Sequence, residues 1–280
     1  MENKMRIAVA GLGIMGASVA RALKANTGYT VDGWNRNPGV TGYAVDKGYI
    51  DGAVSDFAEY DVVFVALPPE AAMEFLETRE FKDNAVVADL CGVKQPVEKA
   101  VYAQKRNYRY VGTHPMAGKE KGGIKNSDER LFRGANVILT RCRHTDEEAL
   151  NLVANLYRKM GCGRLLLCPA DYHDAKIAYT SQLAHIVSSA YLKSDTAEGC
   201  EGFTGGSFQD MTRVGGVDEE MWTQLYFLNA NNLAGELETL ISNLGEYLTA
   251  LKDGDEKKMQ ELLRAGTAIR NALKCYRDKN

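Results

Sequence analysis

Six residues near the N-terminus, Gly11-Leu12-Gly13-Ile14-Met15-Gly16, constrain this chain more than any other stretch. They follow a short apolar run at 5–10 and precede a helical pattern carrying Val19, Ala20 and Leu23, so the local order is strand, glycine turn, helix. In that order the first glycine makes the tight turn, the second lets backbone approach a pyrophosphate, and the third lets helix and strand pack closely. The helix N-terminus then presents N–H groups and a positive dipole end to the phosphates. We read Gly11, Leu12, Gly13, Ile14, Met15 and Gly16 as a dinucleotide-binding loop.

The next strand, 30–34, ends in Asn35-Arg36-Asn37. Asn35 holds the position where an acidic residue binds a ribose 2′-hydroxyl, and Arg36 suits a 2′-phosphate, which leans toward NADP and leaves NAD open. Buried-strand patterns follow at 61–67, 85–90, 108–112 and 135–140, with helical stretches between them, including 145–160. The expected fold class is α/β: a Rossmann-type doubly wound sheet over 1–168. Strand signals stop at Leu165-Leu166-Leu167-Cys168-Pro169, and helical periodicity occupies 169–280, an all-α domain. Its first helix, about 171–193, places Ser181 and His185 on one face. The glycine-rich stretch 199–206 interrupts it. A long helix is expected from about 219, where Leu237, Ile241, Leu244, Leu248 and Leu251 form a heptad seam that needs a partner. A last helix, about 256–275, carries Met259, Leu262, Leu263, Ile269 and Leu273 on one stripe.

Composition narrows the function classes. Of 280 residues, 45% are hydrophobic and 25% charged, ordinary globular values, and no run reaches membrane-spanning length. The start passes straight into a strand, leaving no room for a signal peptide, so a cytoplasmic location is expected. Six cysteines without CxxC pairs fit reduced thiols better than disulfides or a zinc site. A net charge of −3 offers no basic face to nucleic acid, so the expected ligand is small.

The stretch Gly112-Thr113-His114-Pro115-Met116-Ala117-Gly118 puts an imidazole where a strand ends. In open α/β sheets ligands bind just outside the carboxyl ends of strands, so His114 is well placed to meet a substrate. Taken alone, this histidine fits a turn cap as well as a catalytic role.

With the glycine loop, His114, the helical His185, and Asp210-Met211-Thr212-Arg213 followed nine residues on by Trp222, nearly the whole chain resembles the prephenate dehydrogenases. The resemblance implies a Rossmann domain, a helical dimerisation domain and a homodimer through the C-terminal helices. The implied reaction is oxidative decarboxylation of prephenate to 4-hydroxyphenylpyruvate in tyrosine biosynthesis, with hydride passing from ring C4 to NAD or NADP. It makes His114 the catalytic histidine and Arg213 the clamp on a substrate carboxylate. His185 and Trp222 match pocket positions and Glu120 a gating acid.

One departure is plain: where some members carry a serine beside the catalytic histidine, this chain has Gly92. His144 and His173 are read as solvated. The chain leaves no space for an appended ligand-sensing domain, so any feedback by tyrosine is expected to be competitive. Arogenate dehydrogenase is the nearest alternative. A hydroxyisobutyrate-type dehydrogenase shares the glycine loop, but its GxxGxGxxxKxxxN helix pattern is missing around Lys176. A cofactor-sensing regulator without turnover would have no use for both His114 and Arg213.

Overall fold

The computed structural model describes residues 4–119 and 121–273; Glu120 and Cys275 lie outside them. By chain contacts the molecule forms two compact units, Met1–Ala230 and Asn231–Asn280.

In the first unit the described residues build a seven-stranded sheet in the order β2-β1-β3-β4-β5-β6-β7. The strands are β1 (Arg6–Ala10), β2 (Thr30–Trp34), β3 (Val62–Val65), β4 (Val86–Asp89), β5 (Arg109–Pro115), β6 (Val137–Thr140) and β7 (Leu165–Cys168). All neighbours run parallel except β5 and β6. Helices α1 (Ile14–Asn26), α2 (Pro38–Asp46), α3 (Pro69–Thr78), α4 (Gln95–Tyr102) and α5 (Glu147–Lys159) connect and flank the strands.

Because crossover helices cover both faces of a parallel sheet, its central strands are continuously apolar. The pleat sorts alternate residues into two cores. Val9, Phe64 and Ala88 pack on one face with Val19, Leu23 and Tyr157. Ala10, Val65 and Val87 pack on the other with Phe75, Leu76 and Val97.

Three expectations need revision. β5 runs three residues past the expected end at 112, because antiparallel β6 supplies partners for Thr113, His114 and Pro115 beyond the point where Gly112 pairs with Asp89, the last residue of β4. The helix expected over 171–193 is α6 (Ala170–Ile177), a wide π-type turn at Ala178–Gln182, and α7 (Leu183–Tyr191). The long helix expected from 219 is broken at Asn229 into α9 (Glu219–Leu228) and α10 (Ala230–Asp253). The buried Asn229 amide donates to the Asp174 carbonyl and to Gln182 Oε1, which holds its backbone out of the helix. Between α7 and α9, α8 (Gly206–Thr212) follows the glycine-rich stretch.

The second unit contains most of α10 and α11 (Glu256–Ala272). Ile241, Leu244, Leu248 and Leu251 are each more than half exposed, so the heptad seam faces outward on this chain.

Candidate active site

The glycine loop has the geometry the sequence implied. Gly11 has φ +90°, and a Cβ there would meet the Ala66 carbonyl oxygen at 2.3 Å. A Cβ on Gly16 would fall 1.8 Å from the Gly11 carbonyl, so only glycine lets α1 approach the strand end this closely. Gly13 is the N-cap of α1 with no side-chain cap, and nothing stands within 4 Å of where its Cβ would project. An open space above an uncapped helix N-terminus suits a phosphate group. Asn35 accepts a hydrogen bond from the Leu12 amide at 3.0 Å, tying the loop to the end of β2, while Arg36 beside it is exposed.

At the carboxyl end of the sheet, His114 is the penultimate residue of β5, paired with Ile138. The residue is partly buried. His114 Nδ1 lies 2.8 Å from His173 Nε2, and His173 Nδ1 lies 2.6 Å from Asp174 Oδ1. This corrects the reading of His173 as solvated: it is 1% exposed, on the inner face of α6. His144 is exposed, as expected.

Asp174 is anchored in turn. Its two carboxylate oxygens accept the backbone amides of Lys94 and Gln95, each at 2.8 Å, at the start of α4. No protein partner meets His114 Nε2 among the described residues. Beside it stands Gly92, where a Cβ would be 3.9 Å from both Nε2 and Cε1 and 3.2 Å from a Leu225 methyl. Gly92 thus brings no side chain to the ring, and the Leu225 methyl stands close to where one would project.

Beneath His114, Lys94 is fully buried. Its ammonium donates to the Asp89 carboxylate and, at 2.8 Å, to the Thr113 carbonyl. Asp89 also accepts from Tyr110 at 2.6 Å and from the Cys91 amide at 2.9 Å. Burial, with the adjacent Asp89 carboxylate, pushes the Tyr110 hydroxyl far above its ordinary range, so it remains a donor. Burial first, then a charge on His173 and that of Lys94, hold the His114 imidazole well below the ordinary range, so it is neutral at pH 7. Burial likewise lowers His173, opposed by its hydrogen bond to Asp174.

Two other predicted residues meet each other. His185, on α7, stacks on Trp222 of α9 with ring centroids 3.9 Å apart, and its Nδ1 lies 2.9 Å from the Ser181 carbonyl. Because α9 carries both Trp222 and the Leu225 that abuts Gly92, it links the His185 ring to the His114 side of the site. Arg213 caps the end of α8 and is exposed; the turn that follows it brings Gly215 against Ser188 and Leu192 at the end of α7.

Sequence reasoning missed Lys94, His173 and Asp174. The adjacent His-Asp pair was a usable signal for the last two, since a carboxylate is the ordinary partner that orients an imidazole.

Residues 19–166 match the family described as prephenate dehydrogenase, nucleotide-binding domain, and residues 169–265 the one described as prephenate dehydrogenase, dimerization domain. A cyclohexadienyl dehydrogenase of Zymomonas mobilis is 30% identical, covering 97% of each chain. The crystal structure of an Aquifex aeolicus prephenate dehydrogenase with hydroxyphenyl propionate and NAD+ superposes at a TM-score of 0.84, with 26% identity over 96% of this chain and 98% of that one. A Synechocystis arogenate dehydrogenase superposes at 0.80, with 26% identity over 95% and 99%.

Proposed function

This chain belongs to the prephenate dehydrogenase family, and from that premise we propose that it catalyses NAD(P)-dependent oxidative decarboxylation of prephenate to 4-hydroxyphenylpyruvate. The observation that carries the reading is His114: a neutral imidazole at a strand end, its Nδ1 bonded to His173 and its Nε2 without a protein partner among the described residues, beside Gly92.

A bound nicotinamide supplies the hydride acceptor. The chain holds the dinucleotide on the glycine loop and the α1 N-terminus, with Arg36 at the adenosine ribose, an arrangement that favours a 2′-phosphate and hence NADP. His114 Nε2 accepts the hydrogen bond of the substrate C4 hydroxyl, and this bond strengthens as positive charge develops at C4 while hydride departs. Loss of the ring carboxylate as carbon dioxide then returns an electron pair to the ring, aromatises it and leaves the proton on the phenolic oxygen. The proton is thus borrowed and returned. Arg213 engages a substrate carboxylate through its planar fork, and His185 with Trp222 forms a wall of the same pocket. Glu120, read as a gating acid, lies outside the described residues.

On this reading the working division falls at 168/169, with cofactor on 1–168 and substrate binding and dimerisation on 169–280. The dimer is a homodimer formed through the exposed apolar faces of the C-terminal helices. Arogenate is the second candidate substrate, on the strength of the cyclohexadienyl and arogenate dehydrogenases to which the chain is similar.

Steady-state assays with prephenate and arogenate, each with NAD and NADP, decide substrate and cofactor. Prephenate with NADP should give the highest kcat/KM. His114→Asn should bind cofactor normally and lose roughly 10²–10⁴-fold in turnover. Near-normal turnover in that variant would remove His114 from the mechanism.

A further inference from the structure

The bonds behind His114 answer a question left by its role as acceptor: where the borrowed proton's charge goes, given that His114 is itself a poor place for it. We propose that His173 and Asp174 are positioning residues that fix His114 in the tautomer with Nδ1–H and a bare Nε2, and that they carry the positive charge transiently when substrate lends its proton. The inference rests on the reading of His114 as acceptor from the C4 hydroxyl.

The assignment follows outward from Asp174. Its oxygens already accept the Lys94 and Gln95 amides, which fixes the carboxylate as an acceptor facing His173 Nδ1. The proton of a neutral His173 therefore sits on Nδ1 and leaves its Nε2 as a lone pair. That lone pair lies 2.8 Å from His114 Nδ1, so the His114 proton is on Nδ1 and its Nε2 is the acceptor. A carboxylate at the end of a chain of imidazoles dictates the tautomer of the last one, as the aspartate of a serine-protease triad does for its histidine.

During turnover the substrate O–H proton moves toward His114 Nε2 as the Nδ1 proton moves toward His173 Nε2. The charge is then shared with an imidazole bonded to a carboxylate. As the ring aromatises both protons return, so the bonds made and broken balance with no proton released.

The charged surroundings favour this direction. Acting on the pair are the Lys94 ammonium at the start of α4, Asp89 at the end of β4 and Asp174 on α6, and Asp174 in turn acts on Glu98 of α4 and Cys168 of β7, as Asp171 does. Lys94 disfavours a charge on either ring, and Asp174 offsets it only at His173. At equilibrium in acid the first proton taken up by the pair consequently settles on His173, whose Nε2–H then donates to His114 Nδ1 and drives the His114 proton to Nε2. That tautomer cannot accept from substrate. The acidic limb of the rate profile is a property of the pair.

Two measurements test this. The chain has four histidines, so nitrogen-15 spectra of the full-length, histidine-labelled protein are assignable with single substitutions. Without substrate at pH 8, His114 should show a protonated Nδ1, a bare Nε2, and a nitrogen–nitrogen coupling across the bond to His173 Nε2. A protonated Nε2 on His114, or no coupling, overturns the proposal whatever the enzyme's substrate proves to be.

In His173→Gln the amide oxygen still accepts from His114 Nδ1, but the side chain cannot take a proton. Turnover should fall by roughly 10–10²-fold, part of the contribution of a general base. KM for substrate should hardly move, and the acidic limb should shift to lower pH. An unmoved limb overturns the proposal. If His114→Asn retains turnover while the coupling is present, the reading of His114 as acceptor has failed and the tautomer assignment stands.

Discussion

Replacing Lys94 with Met tests how the catalytic end of the sheet is held. The ammonium is fully buried, salt-bridged to Asp89 and bonded to the Thr113 carbonyl one residue before His114. It therefore ties the end of β4 to the end of β5. Removing one partner of a buried ion pair costs about 3–5 kcal/mol, because the other charge stays buried without compensation. Asp89→Asn should cost a similar amount by stranding the ammonium.

In the double variant both charges are gone. The introduced asparagine can accept the Cys91 amide and donate to the Tyr110 oxygen, and the introduced methionine fills much of the lysine's volume. The Thr113 carbonyl loses its donor and the Tyr110 hydroxyl proton its acceptor, each costing about 1–3 kcal/mol. The double variant should thus lose less than the roughly 6–10 kcal/mol that two independent effects would sum to. Urea unfolding of the apoenzyme followed by fluorescence in a Trp222→Phe background, where Trp34 on β2 is the remaining tryptophan, reads this sheet directly. Additivity of the two single losses would refute the claim that Lys94 and Asp89 form one closed unit.

Arg213→Ala should raise KM for substrate by roughly 10–150-fold, equivalent to the 1.5–3 kcal/mol of a charge-assisted hydrogen bond, while kcat and cofactor affinity hold; a collapse of cofactor binding instead would move Arg213 out of the substrate site. Stability should be full above about pH 6.5 and decline as pH falls, because burial holds His114 and His173 neutral in the folded chain while unfolded histidines take up protons at that value. Each contributes a slope of up to about 1.4 kcal/mol per pH unit, and His114→Asn should flatten it in urea titrations run from pH 8 to 5. Leu244→Asp with Leu248→Asp should leave the sheet folded and yield monomers in sedimentation, since these two leucines lie on the exposed seam of α10; an unchanged dimer would place the interface elsewhere.

The elements that set the frame were legible because their signals are local. A glycine whose Cβ would strike a carbonyl, as at Gly16, leaves its mark at one position, and a parallel strand buried on both faces, as at Val62–Val65, is an unbroken apolar run. The inner layer of the site was not legible, because its partners are far apart in the chain. His173 reads as a polar residue on an amphipathic helix until the sheet brings it to His114, 59 residues earlier. Nothing in the local sequence marks Lys94 as buried; Thr113 and Asp89 close around it only in the fold. The break at Asn229 was hidden for the same reason: its bonds to Asp174 and Gln182 reach back 55 and 47 residues.

The placement of a lysine beneath the catalytic histidine has a consequence for the chemistry. A base that must be neutral to accept a hydrogen bond gains from any nearby positive charge, since that charge disfavours its protonation before substrate arrives. The same charge opposes the proton transfer that follows. Asp89 lies closest to the ammonium and screens part of its field, while Asp174 restores a favourable field only at the far imidazole. The ring facing substrate is thereby kept neutral and the ring behind it is the one prepared for charge. Exchanging Lys94 and Asp89 together for Met and Asn removes the bias without leaving a stranded ion, so the acidic limb of the rate profile should move to higher pH while the fold persists. A limb that stays in place in that double variant would mean that Lys94 serves only to join the two strand ends, and that burial alone sets the protonation of the site.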